Sequence, residues 1–358
     1  MAGNACRHRW LLALALCSLL GACGQRTEQA AKAHHYQWLL WHTPVELTVR
    51  VDPESQAADP DAVVAALRAD WQTLERDWHS WKPSPLSDAN QAFAAGRSAP
   101  LPDSLQQLLI DSRPLYAASE GLFDPAIGGL VRLWGFHSED YPLLTPPPSA
   151  AELQQWLQQR PHLDQLERHG DLYLSRNPRL QLDFAAVAEG AALARGADIL
   201  RAHGIEHALF NLGGDVLALG QAEGRPWRVA IEDPLIPESG VLADLPLQSG
   251  EGLFVSGGYR RFRLAVDGAR LAHVLDPRTA RPVHGNVLAA VVSDDPRRGD
   301  AGSTALLIAG PALMPRLLKR LQIDHALLLD DQDRLWITPA LEQRLRWQRR
   351  PAQIQRVP

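Results

Sequence analysis

HALFNLGGDVLAL, residues 207–219, reads as an apolar strand that turns at Gly213-Gly214 into a second strand. It follows a helical stretch over 186–203 that Gly204 stops. The same alternation recurs along the chain. Residues 45–51 alternate Val and Leu with Glu, Thr and Arg, as a half-buried strand does, and Asp52-Pro53 closes them. Residues 261–266 and 269–275 flank Asp267-Gly268, the strongest short-range hairpin signal in the chain. A two-residue turn there pairs Val266 with Ala269, Leu264 with Leu271 and Phe262 with His273. Further on come a strand over 287–292, a helix over 300–309 ended by Gly310, and two strands around 331–333. Upstream, Val64, Leu67, Trp71, Leu74 and Trp78 share one side of a helix over 61–78, and a second helix over 105–119 contains Pro114. A Pro-rich connection at 143–149 is expected to set this mostly helical part apart from the mixed second half of the chain. Strands paired by hairpins, with helices packed against them, predict an α+β fold of antiparallel sheets.

The N-terminus has a different character. Arg7, His8 and Arg9 precede an apolar run over 10–20 that is too short to span a bilayer. The run ends in Leu20-Gly21-Ala22-Cys23, which looks like a bacterial lipobox. Residues 1–22 are therefore expected to be a lipoprotein signal peptide, and 23–40 a lipidated Cys23 with a polar tether. The expected domain covers 41–340, with a C-terminal tail at 341–358. Cys6 and Cys17 leave with the signal peptide, so Cys23 is the sole remaining cysteine, which excludes a disulfide or a Cys-based metal site. The net charge of −5 argues against a nucleic-acid surface. The expected location is the periplasmic side of a bacterial membrane, held by lipid.

Several residues can carry chemistry. Asp300 and Thr304 stand four apart on one helix face, a carboxylate and a hydroxyl directed at one point, which suits Mg²⁺ rather than zinc. An Asp in that position also serves as a cap or dipole partner. His273 falls, in the register above, on an apolar face with Phe262, Leu264 and Leu271. It is then either a packed core residue or, if Asp276-Pro277 opens onto a cleft, a neutral base for a hydroxyl. The turns Asn211-Leu212-Gly213-Gly214-Asp215 and Ser256-Gly257-Gly258-Tyr259 offer the close backbone approach that a phosphate needs, or are plain hairpin turns. No Rossmann, P-loop, His-Glu-x-x-His or Gly-x-Ser-x-Gly pattern occurs in a suitable context.

Together these motifs resemble the ApbE family, the FAD:protein FMN transferases. GLFDPAIGGLVRLWGF at 121–136 is similar to the family's G-x-F-D-P-T-V-G-P-L-x-x-L-W-G-F, and SPLSDAN at 84–90 to its S-x-L-S-x-x-N. Residues 211–215 match N-L-G-G-D, 256–262 resemble S-G-x-Y-x-R-F, 273–277 H-I-L-D-P, and 300–305 D-A-x-x-T-A. The matches run in order from about residue 43 to 310. The resemblance implies an ApbE-like (T-fold-like) architecture and an Mg²⁺-dependent enzyme. The enzyme would move the FMN half of FAD onto a threonine hydroxyl of a client protein and release AMP. It further implies that Asp300, Thr304 and a backbone oxygen near Ala186 hold Mg²⁺, and that His273, helped by Asp276, is the base. Asn211, Gly213, Gly214, Asp215, Ser256, Gly257, Gly258 and Tyr259 would contact FAD. Family clients are often subunits of electron-transfer complexes at the inner membrane, which favours that membrane for the anchor, although Cys23 is followed by Gly24 rather than by the Asp tied to inner-membrane retention. The chain departs from the pattern where K-G-Y-A-x-D reads Glu189-Gly190-Ala191-Ala192-Leu193-Ala194, where M-G-T reads Trp41-His42-Thr43, and where the T-G after H-I-L-D-P reads Thr279-Ala280. Near a diphosphate Glu189 reverses a charge unless it points away or meets an arginine, for which Arg195 is a candidate. These departures keep open an FAD-splitting hydrolase giving FMN and AMP, and a non-catalytic flavin-binding lipoprotein.

Overall fold

The computed structural model describes residues 32–51, 57–138, 143, 145–236, 240–265 and 268–358. Cys23, the signal peptide, Asp52-Pro53, Val266 and Asp267 lie outside the described residues. Nine strands form one sheet whose spatial order is also their chain order: β1 Lys32–Leu40, β2 Thr43–Val51, β3 His207–Leu212, β4 Asp215–Leu219, β5 Gly252–Gly257, β6 Asn286–Ser293, β7 His325–Asp330, β8 Arg334–Ile337 and β9 Gln353–Arg356. All neighbours are antiparallel except β8 and β9, which run parallel. The α+β expectation holds.

Both faces of the sheet are covered, which explains its near-continuous apolar strands. Because side chains alternate between faces, Ala289 and Val291 of β6 join one core while Leu288, Ala290 and Val292 join another. The first core lies under three long helices: α1 Pro60–Asp77, α2 Asp103–Ala118 and α3 Ala185–Ala202. A fourth, α4 Pro296–Leu321, packs on the same side. The second core lies under a three-stranded sheet, in which Trp227–Glu232 and Val241–Leu247 pair with each other and Arg346–Trp347 flanks the latter. The N-terminal helices share their core with residues as distant as Leu328 and Val357, so the Pro-rich connection marks no boundary.

Four expectations change. Residues 32–40, assigned to the tether, form β1 and pair with β2 from Lys32↔Val51 to Leu40↔Thr43. Residues 341–358, set apart as a tail, supply Arg346–Trp347 and β9 to the two sheets. The helix expected over 300–309 begins at Pro296, capped by Asp295, and after a break at Gly310 (φ 68°, ψ 179°) continues to Leu321. By length and composition alone α4 is apolar enough to cross a membrane, yet it is a core helix packed against the sheet.

The fourth change concerns the hairpin around Gly268. Its strands, Phe262–Leu264 and Arg270–Ala272, pair Phe262 with Ala272 and Leu264 with Arg270. Ala265 N–H donates to the Ala269 carbonyl (2.9 Å), so three residues separate the last pair instead of two. Gly268 takes the positive φ (83°) that such a loop requires. The register is thus one residue off the two-residue expectation, and a one-residue slip turns every side chain to the other face. His273 now lies opposite Arg261, whose carbonyl accepts its N–H at 3.2 Å, and no longer opposite Phe262.

Candidate active site

A cleft of about 1090 Å³ opens where β3, β4 and β5 meet the first turns of α3 and α4 and the base of the 262–272 hairpin, at Arg261 and His273. Two glycines bring the helices to it. A Cβ on Gly190 would overlap the Pro296 carbonyl oxygen, and one on Gly299 the Phe254 ring, so neither contact tolerates a side chain. The close approach of α3 to α4 lets the Gly190 N–H donate to Asp300 Oδ2 at 2.8 Å. Helical geometry assigns that N–H to the carbonyl four residues back, at Ala186. Asp300 competes for it and leaves the Ala186 carbonyl with lone-pair capacity beside the cleft that Ala186 lines. Thr304, one turn beyond Asp300, lines the same cleft.

The turn between β3 and β4 supplies the next group. Gly213 (φ 66°) and Gly214 (φ 115°) hold left-handed conformations, and Gly214 N–H donates to Asn211 Oδ1 at 3.1 Å. Asn211 in turn donates to Glu46 at 3.2 Å. Asp215, buried, accepts the Val255 N–H at 2.9 Å. Ser256, Gly257 and Tyr259 line the cleft from β5 and beyond it, and the Tyr259 hydroxyl donates to Glu232 at 3.2 Å. Gly258 does not line it; a Cβ there would meet Ala272 at 2.6 Å.

Electrostatics concentrate on three carboxylates, Glu189, Asp215 and Asp300. Burial pushes all three well above the ordinary carboxylate range. Asp300 raises the other two further, and Glu189 also raises Asp215. Arg261 and Arg260 oppose this at Glu189. Among the described residues no three His, Cys, Asp or Glu side chains converge to cage a metal. A cation here would therefore take mixed oxygens, and the Asp300 carboxylate, the Thr304 hydroxyl and the Ala186 carbonyl are the hard donors Mg²⁺ favours. They fit the ion, and a divalent charge would relieve the repulsion among the three acids.

His273 lines the cleft with its ring nearly perpendicular to that of Phe136 (6.4 Å between centroids, 76° between planes). Its Nδ1 stands 3.1 Å from the Arg261 carbonyl, which can only accept, so Nδ1 carries the proton and Nε2 is left as an acceptor. Burial first, and then the Arg261 charge, push its pKa down to about 4, against the Arg261 hydrogen bond that raises it. At neutral pH it is a neutral imidazole. Asp276, expected to assist it, is elsewhere engaged: both its carboxylate oxygens are held by Arg278 (2.8 Å to Nη2), and it does not line the cleft.

Glu189 does not point away. Its carboxylate is within 3.5 Å of the Thr43 hydroxyl and against Gly213, whereas Arg195 pairs with Asp70 at 2.5 Å on the surface. Sequence reasoning did not assign Arg260, which donates to the Gly213 carbonyl (3.0 Å) and to Glu232, or the aromatic rim at Trp41. The signal for Arg260 was its place beside Tyr259 in the second glycine turn. At the rim Trp41 (φ 47°) and His42 (φ 60°) turn β1 into β2 as two left-handed residues, each costing roughly 1–2 kcal/mol. The Trp41 N–H to Glu75 (3.0 Å) and the stacking of its ring on Trp78 (5.9 Å) offset that strain.

Comparison with known proteins agrees with this architecture. Residues 41–328 match the model of the ApbE family. The chain is similar to an FAD:protein FMN transferase of Rhodobacter capsulatus, 41% identical over 309 residues, covering 86% of this chain and 57% of that protein. It is similar to another of Klebsiella pneumoniae, 30% identical over 342 residues, covering 91% of this chain and 94% of that one. Among solved structures it is similar to the flavin transferase ApbE of Vibrio cholerae, with TM-score 0.76, 23% identity, and 88% and 99% of the two chains covered. The Pseudomonas stutzeri flavinyl transferase ApbE in its apo form gives TM-score 0.72 and 26% identity, covering 84% of this chain and 92% of that one.

Proposed function

Since the chain belongs to the ApbE family, we propose that it transfers the FMN half of FAD to a threonine hydroxyl of a client protein, with Mg²⁺, releasing AMP. The observation that carries this reading is one cleft holding a neutral His273, its Nε2 left as an acceptor, and the Asp300–Thr304 pair of α4. Its volume suits a dinucleotide. His273 Nε2 takes the proton of the client hydroxyl as its oxygen bonds to the flavin-side phosphorus. The bond from that phosphorus to the bridging oxygen breaks, and AMP leaves with that oxygen. Asp300, Thr304 and the Ala186 carbonyl would hold Mg²⁺, which supplies charge neutralisation at the phosphates. Arg261, beside His273, offers a positive charge to the diphosphate, and Gly213, Gly214 and Gly257 let the dinucleotide approach the backbone. Lipidation of Cys23 on the periplasmic side would hold this site near membrane-bound clients, electron-transfer subunits among them, and raise their effective concentration.

Glu189 in the cleft favours keeping a non-catalytic flavin-binding role as the rival. Incubation with FAD, Mg²⁺ and a client peptide carrying an acceptor threonine separates the readings. Covalently fluorescent client is expected. Free FMN without labelled client would mean a hydrolase, and tight FAD binding without turnover the binding protein. Labelling the expressing cells with a fatty acid tests the anchor, which is lost if a Cys23→Ser variant is labelled equally.

A further inference from the structure

Two hydroxyls, Ser256 and Ser303, continue in a row from that of Thr304. Ser303, buried on α4, has its Oγ 2.9 Å from the Asp300 carbonyl oxygen and 2.8 Å from Ser256 Oγ on β5. Ser256 Oγ is 2.9 Å from Thr304 Oγ1. Each hydroxyl owns one proton. A carbonyl only accepts, so the Ser303 proton is committed to Asp300. Ser303 can then meet Ser256 only as an acceptor, which commits the Ser256 proton to Ser303. Ser256 must in turn accept from Thr304. The Thr304 proton is thereby held by Ser256, and its oxygen shows the rest of the cleft lone pairs alone.

A helical threonine commonly donates instead to the carbonyl four residues back, which here is that of Asp300. Ser303 already occupies this carbonyl. We propose that Ser303, acting through Ser256, fixes Thr304 as a pure acceptor, the state that a cation ligand requires and that a hydrogen-bond donor to phosphate cannot have. The inference rests on the Mg²⁺ reading above. Ser303 does not line the cleft, so it is a positioning residue. In Ser303→Ala the Ser256 proton loses its acceptor and turns to Thr304 Oγ1. The Thr304 proton then leaves Ser256, for the cleft or for the Asp300 carbonyl that Ser303 has vacated, and Ser256 takes a lone pair of the Thr304 oxygen that would otherwise serve the cation.

The test uses Mn²⁺ as probe, with free Mn²⁺ read by electron paramagnetic resonance during titration of the purified protein without FAD. Ser303→Ala is expected to weaken Mn²⁺ binding about tenfold, the scale of losing an outer partner of a ligand. Ser303→Thr, which keeps the hydroxyl, restores it. Because the hydroxyls act in series, Ser256→Ala combined with Ser303→Ala binds no more weakly than Ser256→Ala alone. An unchanged melting temperature of metal-free Ser303→Ala separates the effect from misfolding; if that variant does not fold, Ser303→Cys, a weak acceptor of similar size, takes its place with a smaller loss expected. Wild-type affinity in Ser303→Ala, or losses that simply add in the double variant, overturn the proposal. No Mn²⁺ binding by the wild-type protein overturns the metal reading and this inference with it.

Discussion

The two chemically active parts of the cleft are held in opposite ways. Asp300 and Thr304 ride on a long helix whose neighbours Ala301, Ala305 and Leu306 are at most 1% exposed, locked to α3 at Gly190 and to β5 at Gly299. His273 ends a hairpin of two three-residue strands in which Leu264 is 45% exposed. That hairpin is fixed mainly by polar anchors: Arg263, 1% exposed, donates to the Trp134 carbonyl at 2.5 Å and to the Thr145 carbonyl. A site built on the core has its geometry fixed by packing, which does not deform gradually. A site built on an edge hairpin has its geometry fixed by a few hydrogen bonds, and it is the part that substitution can re-aim.

The comparison is broken most severely from the core side. Asp300→Ala should reduce transfer on the order of 10³-fold or more, the scale of removing a main electrostatic stabiliser, measured as covalent flavin fluorescence of the client. Full activity of that variant in chelator-treated buffer would remove the metal role. On the hairpin side His273→Ala should lower the rate about a hundredfold, toward the lower end of base catalysis. The pH profile sharpens this. Burial holds the folded His273 pKa near about 4, below its ordinary value, so the base stays neutral and active down to mildly acid pH and is lost only as pH falls through about 4. An acid limb near pH 6.5 instead would show a solvated imidazole.

Smaller effects test the anchors themselves. Gly190→Ala forces a methyl against the Pro296 backbone and should cost about 2–3 kcal/mol of stability in denaturant melts. A loss below about 0.5 kcal/mol would mean that the two helices can part freely. Arg263→Met keeps much of the buried volume but leaves the Trp134 and Thr145 carbonyls without their donor. It should cost about 1–3 kcal/mol and lower the rate through His273 while leaving Mn²⁺ affinity unchanged. Coupled loss of Mn²⁺ binding would show that the two parts are one unit. The mildest change is Glu189→Gln: because burial pushes its pKa up to about 8, Glu189 carries its charge chiefly in alkaline solution, so the variant should lower KM for FAD about threefold to tenfold at pH 9 and little at pH 7. An unchanged KM at pH 9 would place Glu189 away from the diphosphate.

The same contrast explains what could be read in advance. Hydrophobic period placed the buried strands β3 and β6 and the amphipathic helix α1, because packing against a core imposes that period on every residue. The two-residue turn assumed at Asp267-Gly268 misplaced the 262–272 hairpin by one residue, because its two three-residue strands are too short for an apolar pattern to fix the register, and loop length alone set it. Hydrophobic period assigned β1 to a tether for a related reason: KAHHYQWLL at an edge is mixed in polarity, and its pairing with β2 is set by the Trp41-His42 turn.

By itself the sequence determined the α+β class, the four-residue spacing that puts Asp300 and Thr304 on one face, and the glycine turn at Gly213-Gly214. All of these are local consequences of backbone geometry, legible within a few residues. Tertiary structure alone decided which face His273 presents, that Asp276 belongs to Arg278, and that Glu189 enters the cleft. It also decided that Asp215 joins Asp300 in a shared electrostatic site and that Ser256 and Ser303 back Thr304. Those groups come from strands and helices tens of residues apart, and only the packing of α3 and α4 against the sheet brings their charges and protons within range of one another.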